Sequence, residues 1–217
     1  EKNKILNTYT LWLDEMKTLF QDSFAVDIEI DKGAFIPSVI NKANELKPDL
    51  ILMQGSKDGV IEKITGDSNE HILESVESPV MFVPLEHTFG EIFTISYLTS
   101  YQNEHLDHIN DFLLLVKNLN STLIVFHPEG EDDYKHKLLK EGYIDKIRLI
   151  DGQLEITHIT IDEKKKEDEL IEHIKKHNID MMVFFNEKRN ILKQLFTEQL
   201  SQRLLAQLKI PILVYPE

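Results

Sequence analysis

The chain lacks cysteine, so disulfide bonds and thiolate chemistry are excluded. Long apolar runs are missing too, since the longest, such as "DLILM" and "FLLLV", fall far short of the roughly 20 residues that span a bilayer. Positive charge is scarce: 24 Lys and Arg face 38 Asp and Glu, a net charge of −14. Such an acidic surface repels nucleic acid and anionic lipid, so we expect neither as a partner. We expect a protein of the reducing cytoplasm.

Familiar catalytic motifs are also missing from the sequence. There is no Gly-Lys-Ser/Thr loop, nucleophile elbow or Ser-His-Asp order, so no catalytic residue is predicted. His105 and His108 lie one helical turn apart in "HLDH", a spacing that can share a metal ion. Beyond Asp107, which points elsewhere on the helix, no third ligand lies nearby in the sequence, so we predict surface histidines and no metal site.

The sequence contains an internal repeat. The first copy reads "KPDLILMQGSKDGVIEKITGDSNEHILESVESPVMFVPLE" from Lys47, and the second reads "NIDMMVFFNEKRNILKQLFTEQLSQRLLAQLKIPILVYPE" from Asn178. The matched landmarks are Asp49 with Asp180, Pro79 with Pro211, and Pro84 with Pro216. A repeat this long indicates a duplicated domain. We place the two domains at residues 1–86 and 87–217.

Apolar strands alternate with amphipathic helices along both copies, which predicts parallel sheets covered by helices on both faces. The fold class is therefore α/β, with two doubly wound domains in tandem. The second copy shows five strand patterns, beginning with "EIFTISYL". The first shows only "FAVDIEI", "DLILM" and "VMFVP". We expect its opening strand, helix and strand to be missing from this sequence, because a three-stranded remnant would leave an open apolar edge.

The last strands of the two copies, "VMFVP" and "IPILVY", are apolar and end at prolines. Exposed edges of this kind invite pairing with another strand. We expect the two domains to pair through these strands, so that charged substitutions at Val80 or Leu213 lower stability.

A glycine-rich loop, "GSKDGVIEKITGDSNE", runs from Gly55 to Glu70, between the predicted strand "DLILM" and the predicted helix "NEHILESV". Free backbone N–H groups at a helix N-terminus, approached closely past glycines, hold phosphate. A second reading is also open. Asp67, with Glu70 three residues later, has the spacing of a capping box, which fills the helix N-terminus with side-chain oxygens.

The order and spacing of these segments resemble the universal stress protein family, in its form with two domains in one chain. The string that carries the resemblance is "PDLILMQGSKDG…ITGDSNEHILESVESPVMFVP". It implies a Rossmann-like or flavodoxin-like sheet, pairing through the last strands, and in some members an ATP or AMP site. The residues that match the family's nucleotide-binding segment are Met53, Gly55, Ser56, Gly59, Gly66, Asp67 and Ser68.

The sequence departs from the family's nucleotide pattern in both copies. In the first, three residues instead of two separate Gly55 from Gly59, and six instead of nine separate Gly59 from Gly66. Asp67 stands where the family has Ser or Thr. A carboxylate about 4 Å from a phosphate charge costs roughly 4 kcal/mol at an effective dielectric constant near 20, unless a Mg²⁺ ion bridges the two groups. In the second copy, "FFNEKRNILKQLFTEQLSQ" holds no glycine, and Ser100 takes the place of the family's nucleotide aspartate. We expect nucleotide in the first copy only.

The resemblance implies a non-catalytic stress-response protein with a weak nucleotide site in its first domain, acting on a protein partner or by self-association. Two alternatives stay open. One is an interaction module with no small ligand, and the other is a slow ATP hydrolase. The hydrolase needs a general base or paired metal carboxylates, and the sequence shows neither.

Overall fold

In a computed structural model, the structure describes eleven parts of the chain: residues 2–20, 25–55, 72–84, 87, 90–99, 106–129, 134–150, 152, 154–162, 165–185 and 208–216. The chain divides into two compact units, residues 1–38 and 39–217. Every strand of the described residues belongs to the second unit.

The helices are α1 (Lys2–Phe20), α2 (Phe35–Leu46), α3 (Leu106–Asn118), α4 (Tyr134–Ile150) and α5 (Lys166–Lys176). Residues 72–75 are also helical. The strands are β1 (Ile51–Gly55), β2 (Val80–Pro84), β3 (Thr94–Leu98), β4 (Thr122–Glu129), β5 (Ile156–Asp162), β6 (Met181–Phe185) and β7 (Ile212–Tyr215). Across the described ranges, every helix is too short or too polar to pass through a bilayer.

These strands form one seven-stranded sheet in the order β1-β2-β7-β6-β3-β4-β5. Neighbouring strands are parallel, except that β2 and β7 are antiparallel. The second copy contributes β5-β4-β3-β6-β7, and helices α3, α4 and α5 form the crossovers that parallel strands require. The predicted α/β class is confirmed, and the chain reverses its direction across the sheet between β3 and β6.

The strand pair β1–β2 repeats the pair β6–β7 register for register. In the first pair, Ile51 lies opposite Val80, Leu52 opposite Met81, and Met53 opposite Phe82. In the second pair, Met182 lies opposite Ile212, Val183 opposite Leu213, and Phe184 opposite Val214. These are the residues that the sequence repeat matches, and we call two residues at matched positions counterparts.

A local two-fold axis relates the two copies at the antiparallel β2–β7 pair. The opposed residues are Met81 with Leu213, Val80 with Val214, and Phe82 with Ile212. Met81 and Leu213 are counterparts, and exchanging the copies turns each flanking pair into the other. The axis therefore passes between Met81 and Leu213, where the last strands of the two copies meet.

The core of the second copy lies between the sheet and helix α3. Four α3 residues at helical spacing are almost fully buried: Ile109, Phe112, Leu113 and Val116. They belong to the same buried cluster as Tyr97, Phe185 and Tyr215 from the sheet. The ring centroids of Phe185 and Tyr215 stack 5.0 Å apart. Continuous apolar sequence in "DMMVFF" is explained by β6 being buried along its whole length.

The predicted strand "FAVDIEI" at residues 24–30 is wrong, because the described residues 25–32 have no strand structure. The alternation of apolar and polar residues in this segment nevertheless matches the burial of its side chains. Ile28 and Ile30 are half-buried, whereas Asp27 and Glu29 are exposed. Alternating burial fits an extended segment, but a strand also needs a neighbour to share its backbone hydrogen bonds, and sequence periodicity does not report that neighbour.

Helix α2 begins close to Asp31, whose carboxylate accepts several hydrogen bonds. The Asp31 carboxylate accepts hydrogen bonds from the Ser38 hydroxyl at 2.5 Å and from the backbone amides of Lys32 and Gly33. These bonds, the one from Ser38 foremost, lower the pKa of Asp31 below its usual value. A carboxylate at this end of a helix is also stabilised by the positive end of the helix dipole.

Counterpart turns enter β1 and β6 through left-handed residues, Lys47 with φ 45° and Asn178 with φ 48°. Lysine tolerates this conformation poorly. We therefore expect Lys47→Gly to raise the free energy of unfolding by roughly 0.5–1 kcal/mol. The substitution also removes the exposed ion pair with Glu77, N···O 3.6 Å, which contributes little. Urea denaturation measures the change.

The matched control is Lys42→Gly within α2, where glycine should lower stability by about 1 kcal/mol. Equal destabilisation by both substitutions would contradict the assignment of backbone strain to Lys47.

Candidate functional site

The candidate site lies at the carboxyl end of β1, where parallel sheets place their ligands. Met53 is buried, with 5% of its surface exposed, and Gly55 is the last residue of the strand, opposite Pro84 of β2. The glycine-rich loop therefore leaves a fixed strand end. Of the sequence-predicted site residues, these two lie within the described part of the chain.

The other predicted site residues, Ser56, Gly59, Gly66, Asp67 and Ser68, lie outside the described residues. The chain is described again at residues 72–75, which are helical. There Ile72 is fully buried and Leu73 is 5% exposed. The predicted strand before the loop and the predicted helix after it are thus both present among the described residues.

The second copy has a polar group at the corresponding ends of β3 and β4. The His127 Nδ1 lies 3.1 Å from the backbone carbonyl of Thr99. Because a carbonyl only accepts, this nitrogen carries the proton and donates it. Thr99 is itself 3% exposed, and its amide donates to the carbonyl of Phe126 at 3.0 Å. These bonds hold the two strand ends together.

His158 on β5 lies on the same side of the sheet as His127, since it pairs with Val125 two residues earlier on β4. Burial lowers the pKa of His158, and the positive charges of Lys140 and His127 lower it further. Both effects favour the neutral form of the imidazole. Thr99, His127 and His158 were not predicted from the sequence. The available signal was a histidine near the end of each of two predicted strands, in "IVFH" and "ITHIT".

Helix α5 is tied to the end of β5 by a carboxylate, since the Asp162 amide donates to Glu169 Oε2 at 2.7 Å. Its first turn carries three acidic residues, Glu167, Asp168 and Glu169. These negative charges lie at the positive end of the helix dipole, where they stabilise the helix. They also oppose the binding of a phosphate at this helix end.

Within the described ranges, no group of three His, Asp or Glu residues is placed to hold a metal ion. Of the histidine pair weighed in the sequence, His105 lies outside the described residues. His108 is half-buried on α3, with its ring centroid 5.6 Å from that of Tyr215. The contact with Tyr215 gives His108 a packing role.

A model of the universal stress protein family matches residues 113–216, which hold four of the five strands of the second copy. This part of the chain belongs to the universal stress protein family. The family resemblance predicted from the sequence is therefore confirmed. The tandem arrangement, and the domain boundary between residues 86 and 87, stay predictions.

Solved structures agree with this assignment at the level of the fold. A protein of unknown function from Pseudomonas aeruginosa PAO1 is 16% identical, with a TM-score of 0.62 over 96% of this chain and 77% of that one. A universal stress protein from Archaeoglobus fulgidus DSM 4304 is 12% identical, with a TM-score of 0.61 over 99% of this chain and 78% of that one. No curated protein matches the chain.

Proposed function

We propose that this chain is a non-catalytic stress-response protein of the cytoplasm that binds ATP or AMP weakly at the glycine-rich loop after β1. The observation that carries the proposal is the position of the loop. It follows the carboxyl end of a parallel strand at Gly55 and precedes a helical turn at residues 72–75, in which Ile72 and Leu73 are buried. Backbone amides and a helix N-terminus at this place attract phosphate without a cationic side chain.

The two copies differ in a way that restricts this function to the first. The first copy has Gly55, Gly59 and Gly66 after its strand, whereas the 22 residues from Asn186 to Gln207 that follow β6 contain no glycine. Glycine allows the backbone to approach a phosphate closely. The proposal is one of binding and not of turnover, and it assigns neither a general base nor a metal-binding carboxylate pair.

A nucleotide assay on the full chain tests the proposal. We expect ATP or AMP to be released when the purified protein is denatured, and added ATP with Mg²⁺ to raise the melting temperature. Gly55→Val should weaken binding by at least about tenfold, because a branched side chain at the strand end blocks the phosphate. Asp67→Ser should tighten it, since it removes a negative charge and adds a hydroxyl donor.

Glu172→Ala is the matched control, because Glu172 is an exposed acid on α5, far along the sequence from the loop. Its affinity should equal that of the unmodified chain. Absence of nucleotide from the purified protein, together with no thermal shift at millimolar ATP, would contradict the proposal and favour the helix-cap reading of Asp67.

A further inference from the structure

The carboxyl-terminal end of helix α5 carries two histidines that are four residues apart. His173 lies in the last turn, and His177 follows the helix as its C-cap residue. The His177 amide donates to the His173 carbonyl at 2.9 Å, so the helical hydrogen-bond pattern continues to His177. Residues four apart lie on the same face of a helix. The backbone therefore holds the two imidazoles beside each other.

The two imidazole rings are close together and nearly parallel. Their centroids are 5.7 Å apart, and their planes differ by 18°. An ion bound to one nitrogen of each ring lies about 2.0–2.1 Å from both nitrogens, which places the ring centroids about 5–6 Å apart. The observed separation therefore suits one shared ion, and rotation about the side-chain bonds is enough to turn a nitrogen of each ring toward it.

His173 also contains a polar atom that lacks a partner. Its Nδ1 is buried and forms no hydrogen bond with any described residue. A buried polar atom left in this state costs about 1–3 kcal/mol. In native proteins such an atom commonly indicates a bound ion or water. The His173 ring packs against Phe126 of β4, with the centroids 5.9 Å apart, which explains the position of the ring but leaves its nitrogen without a partner.

The position at the end of α5 also favours a cation. A helix carboxyl terminus carries about half an elementary negative charge, contributed by its last carbonyl groups. Both histidines are half-buried, so an ion from solvent can reach them. Lys175 and Lys176 in the same turn carry positive charges that oppose the ion. Their side chains are exposed, so water and salt screen this repulsion.

We propose that His173, through Nδ1, and His177 together bind one divalent transition-metal ion such as Zn²⁺, Ni²⁺ or Cu²⁺. Imidazole nitrogen suits these ions, whereas Mg²⁺ and Ca²⁺ take oxygen ligands. Among the described residues no group of three His, Asp or Glu is placed around an ion, so water completes the coordination. Neither histidine belongs to the predicted nucleotide-binding segment, so the two sites are separate.

Calorimetric titration of the full chain with Zn²⁺, on protein that carries no histidine tag, tests the proposal. We expect saturable binding of one ion per chain with a dissociation constant in the micromolar range. His173→Ala and His177→Ala should each weaken binding by at least about tenfold, because each removes one of the two protein ligands. The matched control is Glu172→Ala, which removes an exposed carboxylate next to His173 on the same helix and should leave the affinity unchanged.

Nitrogen NMR of the unmodified chain keeps the test independent of any variant's folding. The two nitrogens of an imidazole are distinct, and Zn²⁺ should shift the signals of His173 Nδ1 and of one ring nitrogen of His177. Four outcomes would overturn the proposal: no saturable binding up to about 1 mM Zn²⁺, unchanged affinity in both histidine variants, weaker binding by Glu172→Ala, or displacement of the ion by excess Mg²⁺. The last two would assign the ion to surface carboxylates of this acidic chain.

Discussion

Leu213→Asp is expected to unfold most of the protein under native conditions. Leu213 is 1% exposed, lies on the local two-fold axis opposite Met81, and pairs on its other side with Val183. A charge at this position has no partner and no water, and burying it costs more than about 4 kcal/mol. That is a large part of the roughly 5–15 kcal/mol by which a domain is stable. Circular dichroism and urea denaturation measure the loss.

Leu213→Ala is a milder variant whose stability can be measured. It should lower the free energy of unfolding by roughly 2–5 kcal/mol and leave the protein folded before denaturant is added. The control is Leu149→Asp on α4, where the leucine is 87% exposed and the charge stays in water. That variant should change stability by less than about 0.5 kcal/mol. If Leu213→Asp behaves like Leu149→Asp, the antiparallel pairing of β2 with β7 is not part of the stable core.

Asp180→Ala is expected to lower the free energy of unfolding by roughly 2–4 kcal/mol. The substitution leaves the amides of Phe93 and Thr94 without their carboxylate acceptor. Hydrogen bonds to a charged group contribute about 1.5–3 kcal/mol each, and partial exposure of this pair lowers the sum below that of two fully buried bonds. Because the bonds join β3 to β6, the loss acts on the central strands of the second copy. Denaturant titration measures the loss of stability. Faster hydrogen exchange at the start of β3 would show where in the fold the loss occurs.

Two matched variants separate this effect from the removal of any surface carboxylate. Asp180→Asn retains an oxygen that accepts from the same amides, so it should recover most of the stability. Asp49→Ala removes the counterpart carboxylate, which has no partner among the described residues, and should change stability by less than about 0.5 kcal/mol. Equal losses from Asp180→Ala and Asp49→Ala would contradict the role assigned to Asp180.

The internal repeat explains why much of the architecture was predictable. Strands buried on both faces, such as β6, appear as continuous apolar runs, and the matched prolines fix the alignment of the two copies. The structure realises that alignment in the identical registers of β1–β2 and β6–β7. Residues 24–30 show the limit of such reasoning, because their alternation describes which side chains are buried but not whether a neighbouring strand exists.

The candidate site was predictable to a smaller extent. The glycines after β1 mark a loop that suits phosphate, since glycine's conformational freedom is a local property. The pairing of His127 with the Thr99 carbonyl was not predictable, because these residues are 28 positions apart and meet only when β3 and β4 pair. The same holds for the charges that lower the pKa of His158, which come from β4 and α4.

The sequence by itself determined the α/β class, the repeat and the family resemblance, because all three depend on local periodicity and on the order of residues along the chain. Tertiary structure alone decided that Met81 and Leu213 meet on a two-fold axis, and that Asp180 receives two amides while Asp49 receives none. The physical reason is that counterpart residues have the same local sequence pattern but different neighbours. Hydrogen bonds and burial are set by those neighbours.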